Sequence, residues 1–175
     1  EIANPTMLHD GSGMGALVGL SSVIMAETGF TGAPAISLEA PEAAHHWDGL
    51  GCDWITERQY VKPYPICRWA HAPIDGAKKL RAEHRIDHEK ITRVTIRSFA
   101  ESIALYPGMP DHSARAQYAL AFPVAARRVN GHLGRDPISG AGRSDPRVAR
   151  LVALTEGTVA PRPQDRFPHG RWAGI

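Results

Sequence analysis

Between residues 11 and 29, GSGMGALVGLSSVIMAETG, apolar side chains recur near the helical period at Met14, Leu17, Val18, Val23, Ile24 and Met25. Gly29 supplies a stop, so the pattern predicts a helix. Its many Gly, Ala and Ser residues would let another backbone come close, so it is expected to pack among other helices. Residues 30–54 carry Gly and Pro punctuation with little periodicity and read as a crossing segment, with one short strand at 35–38. A second helix is expected over 70–84, from Ala72, Ile74, Ala77, Leu80 and Ala82 set among Lys78, Lys79 and Arg81.

Alternation takes over in HEKITRVTIRSF, where Val94 and Ile96 share one face and Arg93, Thr95 and Arg97 the other, the mark of a half-buried strand. SARAQYALAFPVAARRVNG reads as a third helix that tolerates Pro123 only in its first turn or at a kink and ends at Gly131. In SDPRVARLVALTEG, Ser144 or Asp145 is the N-cap and Pro146 the first helical residue. Strands are expected near Thr158 and from Arg171. Helices and strands interleave without a strict βαβ rhythm, so the fold class is α+β with an antiparallel sheet, joined to the end of an all-α unit.

Composition adds little and excludes more. The chain of 175 residues is 43% hydrophobic and 22% charged with a net charge of +2, ordinary globular values that argue against disorder and against nucleic acid as a partner. The longest weakly polar run, 14–26, is too short to span a bilayer. Cys52 and Cys67 form no CxxC pair, and a reduced, cytoplasmic setting is expected. Neither end reads as a natural boundary, and the chain is expected to be a portion of something larger.

The candidate chemistry concentrates in KPYPICRWAH, residues 62–71. Two prolines at alternate positions forbid helix or central strand and present side chains instead. Lys62, Arg68 and His71 bring an ammonium, a fork-shaped donor and a titratable base into one short stretch. The plainer alternative is a surface proline turn with a solvated Lys62 and a partly buried His71, and Cys67 serves equally as a small buried hydrophobe. GSGMGA lacks a preceding strand, and its third glycine falls one position early for a dinucleotide fingerprint. Its helix start instead offers N–H groups to a carboxylate, with His9 and Asp10 at the same corner. His45 and His46 are adjacent and point apart, so no metal is expected from them.

LHDGSGMGALVGLSSVIMAETGFTGAP, YVKPYPICRWAHAPIDGAKKL, DHEKITRVTIRSF and AQYALAFPVAARRVNGHLG together resemble the MmgE/PrpD family over nearly the whole chain. The most specific part is KPYPxCxxxH followed by Ala72 and by Ile74-Asp75. The family includes 2-methylcitrate dehydratase, cis-aconitate decarboxylase and iminodisuccinate epimerase, which act on small polycarboxylates without an obligatory cofactor. The resemblance implies the last helical part of an all-α domain at 1–29, a crossing segment at 30–60, and the smaller α+β domain at 61–175, truncated at its C-terminal end. It implies a homodimer, completed by a helical domain or partner chain, and a hydro-lyase-like activity that the isolated chain would lack. His71 and Lys62 would be catalytic, with Arg68, Cys67, His9 and Phe122 at the substrate. Phe122 stands where some members have tyrosine. Cys67 stands where some decarboxylating relatives carry histidine, which favours dehydration or epimerisation. The alternative is a non-catalytic association module that pairs with a separate helical chain.

Overall fold

The computed structural model describes residues 11–175. Two compact units divide between Val61 and Lys62. The first holds helix α1 (Ser12–Glu27), the single turn α2 (Ile36–Glu39) and two 3-10 turns, Pro41–His46 and Ile55–Arg58. α1 ends as its glycine requires: Gly29 takes φ 87°, its N–H reaches Ala26 O at 2.9 Å, and Phe30 N–H reaches Met25 O at 3.1 Å. That pair of reversed bonds satisfies carbonyls the helix would otherwise strand. Every large apolar side chain from Met14 to Val61 is exposed, Leu17 at 58% among them. The strand expected at 35–38 is instead the turn α2, whose Leu38 carbonyl accepts the Trp47 indole N–H at 3.0 Å. Its apolar run is short and, among the described residues, no strand pairs with it.

The second unit, Lys62–Ile175, contains the core. Its elements are α3 (His71–His84), β1 (Val94–Ser98), α4 (Ala100–Ile103), α5 (Ser113–Gln117), α6 (Ala121–Asn130), α7 (Arg135–Ile138), α8 (Pro146–Ala153), β2 (Thr155–Val159) and α9 (Pro161–Arg166). α6 packs against both α3 and α8. It is buried at every position from Ala121 to Ala126 and again at Arg128 and Val129, the small Ala125 and Ala126 permitting close approach on two sides. Asp145 is the N-cap of α8, its carboxylate accepting Arg147 N–H at 2.9 Å, and Pro146 opens the helix.

Three further expectations are corrected. β1 and β2 pair in parallel, Val94 opposite Thr155 through Ser98 opposite Val159, because the helices from α4 to α8 carry the chain back across between them. The only antiparallel contact of β1 among the described residues is a bridge from Arg97 to Gly174, so residues from Arg171 onward supply no full strand. The helix expected from Ser113 to Gly131 is two helices. Tyr106 exchanges backbone bonds with Tyr118 O and Leu120 N–H, both at 3.0 Å, which opens the chain between α5 and α6 and puts Pro123 in the first turn of α6.

Candidate functional site

The KPYP stretch forms neither helix nor strand before the 3-10 turn Arg68–Ala70, which leads directly into α3. Cys67 N–H donates to Gln117 O at 2.7 Å and ties the stretch to the end of α5. The fully buried Ile66 anchors it in the core. The Ile66 carbonyl then becomes a meeting point: Lys62 Nζ donates to it at 3.4 Å and His71 Nε2 lies 3.0 Å away. A carbonyl can only accept, so Nε2 carries the proton and Nδ1 keeps a lone pair.

His71 is 2% exposed, whereas Lys62 is open to solvent. Burial pushes the His71 pKa below its ordinary value, aided by the positive charges of Arg68 and Lys62 and opposed by the Ile66 carbonyl and by Asp75. The imidazole is therefore neutral near pH 7, the form that accepts a proton. The Tyr64 ring meets the His71 ring edge-on, centroids 5.3 Å apart.

Not every expected residue joins this group. Arg68 and Cys67 lie within the same segment and are half-buried, and both cysteines are thiols. Phe122 is fully buried in the hydrophobic core and presents nothing to solvent. His9 and Asp10 lie outside the described residues. Among the described residues, no three His, Cys, Asp or Glu side chains gather where a metal ion could bind.

Three residues near His71, Tyr64, Asp75 and Arg127, were given no site role by the sequence. Tyr64 Oη donates to Asp75 Oδ1 at 2.6 Å, and burial and then Asp75 raise the Tyr64 pKa while the Arg127 guanidinium beside it acts the other way. Arg127 reaches this corner from α6, its Nε and Nη1 buried without a hydrogen-bond partner. Asp75 was legible in principle, since it stands one helical turn beyond His71 on α3. The signal for Arg127 is a charged pair, Arg127-Arg128, inside an otherwise apolar helix.

The sequence matches the MmgE/PrpD C-terminal domain over residues 64–174. The chain belongs to the MmgE/PrpD family. The match begins at Tyr64, inside the proline segment, and covers the unit that carries Lys62, His71 and the core almost from end to end. A search of curated proteins returned no match. No helix among the described residues of this MmgE/PrpD chain is long and apolar enough to cross a membrane.

Proposed function

We propose that this MmgE/PrpD chain is part of a cofactor-independent hydro-lyase that acts on a small di- or tricarboxylate, in the manner of 2-methylcitrate dehydratase. The reading rests chiefly on the convergence of Lys62 Nζ and His71 Nε2 on the Ile66 carbonyl. The Lys62 bond is long and its ammonium exposed, so an incoming carboxylate can take that ammonium at little cost. Arg68 serves a second carboxylate. His71, neutral at pH 7, accepts the proton from the carbon next to a carboxylate. The C–O bond on the neighbouring carbon breaks, the hydroxyl takes up the proton that the His71 imidazolium now holds and leaves as water, and a C=C bond forms. Negative charge builds up on the carboxylate during proton removal, and a fixed cation such as Lys62 favours that state over the ground state. Cys67, in place of the histidine of some decarboxylating relatives, favours dehydration over loss of CO₂; epimerisation would use the same proton removal.

The exposed apolar residues of α1 support a further requirement: a helical domain or partner chain, within a cytoplasmic homodimer. The isolated 175-residue chain is then inactive. The same exposure is the one observation that favours a second reading, a non-catalytic association module.

The two readings part in one experiment, run in the protein together with its helical domain. Lys62→Ala removes an exposed side chain, so turnover of 2-methylcitrate should fall by about 10²-fold or more at unchanged Tm. His71→Ala should lower turnover by about 10²–10⁴-fold. Full turnover in Lys62→Ala overturns the enzymatic reading of this site. Absence of turnover in the intact wild type, with tight binding of the helical chain, selects the association module.

A further inference from the structure

Pro63 and Pro65 flank Tyr64, and neither has an N–H to give, so the fastening of the segment that carries Lys62 falls largely on side chains. From Ile66 onward the segment is secured by the buried Ile66 side chain and by the Cys67 N–H bond to Gln117 O. On the Lys62 side of Ile66, Tyr64 supplies the tie. Its ring is half-buried against the core, and its Oη donates to Asp75 Oδ1 at 2.6 Å across eleven residues of chain.

This bond closes a ring of contacts around His71. Asp75 stands one helical turn beyond His71 on α3, and so on the same face. The Tyr64 ring meets the imidazole edge-on, centroids 5.3 Å apart and planes at 76°. His71 Nε2–H then returns to the segment at the Ile66 carbonyl, 3.0 Å away. Held at Nε2 and along one edge, the imidazole has one orientation for its Nδ1 lone pair.

The electrostatics agree with this arrangement. Burial and then the bond to Asp75 raise the Tyr64 pKa, so the phenol keeps its proton and stays the donor, while the Arg127 guanidinium beside it opposes that rise. Around His71, the charges of Arg68 and Lys62 disfavour the protonated ring and that of Asp75 favours it. Asp75 therefore acts twice, as the acceptor for Tyr64 and as a negative charge beside the base. Substitution can separate the two actions.

We propose that Tyr64 and Asp75 are positioning residues, whose hydrogen bond latches the proline segment onto α3 and so fixes the orientation of His71 and its distance from Lys62. The catalytic use of the latch rests on the proton removal proposed above, whereas the latch itself is readable without substrate.

NMR of the full chain with ¹⁵N-labelled histidine reads it directly. Tyr64→Phe keeps the ring and removes the bond, so His71 should lose its preference for the Nε2–H tautomer, and its pKa should rise towards the ordinary value as the ring gains solvent. Asp75→Asn keeps an acceptor but removes the charge, so the tautomer should persist while the pKa falls further. In the protein together with its helical domain, kcat/KM for 2-methylcitrate should fall about tenfold in Tyr64→Phe with little change in Tm. The acid limb of the pH profile should move up in Tyr64→Phe and down in Asp75→Asn, a split that lost packing alone would not produce. Unchanged His71 signals or an undiminished kcat/KM in Tyr64→Phe, or a shift of the same sign in both variants, overturns the proposal. A wild type without turnover that still shows these NMR effects supports the latch and removes the proposed reaction instead.

Discussion

Residues 11–61 and Lys62–Ile175 use apolar side chains in opposite ways. In the first unit Leu17, Leu20, Val23 and Ile24 are each more than half exposed, and no large apolar residue is buried. In the second, Phe99, Phe122, Ile74, Ile96 and Val148 have no exposed surface. Hydrophobic content therefore does not separate the two; what separates them is whether neighbours exist to receive it. Each buried side chain of this size contributes about 1.5–3 kcal/mol, a contribution that α1 forgoes within this chain.

The widest gap between the units should appear on truncating a large side chain in each. Phe99 stacks on Phe167, centroids 4.6 Å apart, and meets Trp69 edge-on, so Phe99→Ala should destabilise the second unit by about 3–5 kcal/mol. Leu17→Ala should change the urea midpoint by no more than about 0.5 kcal/mol equivalent. Equal costs would mean that α1 is packed in solution.

Glycines sharpen the contrast at a smaller scale. A Cβ on Gly142 would run into the backbone of Asp136 and sit 2.7 Å from Pro137 Cα, so Gly142→Ala should cost about 1–3 kcal/mol. Gly15, inside α1, has nothing within 4 Å of a Cβ, and Gly15→Ala should raise helicity and stabilise by about 0.5–1 kcal/mol. Thermal unfolding followed at 222 nm reads both, and a shift of the same sign in the two variants would erase the distinction.

A pH dependence confined to the second unit sets the two apart as well. The hydrogen bond from Arg147 holds the Asp145 carboxyl below its usual range. A carboxyl depressed in the folded state binds fewer protons there than when unfolded, so its contribution is complete above about pH 4, the unfolded value, and fades as pH falls through the folded one. Asp145→Ala should therefore cost about 1 kcal/mol at pH 7. That difference from wild type should shrink in urea titrations at pH 3, and a difference that stayed constant would remove the carboxylate from the cap.

Local rules were readable where one residue carried the instruction. Gly29 marked the end of α1 and Pro146 the start of α8, with Ser144 or Asp145 as its cap, while Pro123 left a first turn or a kink open and the structure takes the first turn. The break between α5 and α6 was not readable, because it depends on Tyr106, which reaches Tyr118 and Leu120 from another part of the chain. Strand direction failed for a similar reason: alternation in β1 gives a buried face and says nothing of how the chain returns. At the candidate site the same division holds. Lys62 and His71 meet through a carbonyl only five residues before His71, within reach of a local reading, whereas Arg127 arrives on a different helix.

The parallel pairing of β1 with β2 also bears on the order in which the second unit can assemble. Thr95 bonds Glu156 across a separation of 61 residues. Closing a flexible loop of that length costs about (3/2)RT ln n, roughly 3.6 kcal/mol before any constant term. Five ladder positions cannot offset that cost in an open chain, so the sheet does not nucleate folding. The sheet is expected to form once α6 has gathered α3 and α8 and shortened the effective loop, as a late event whose register depends on helices it does not itself contain.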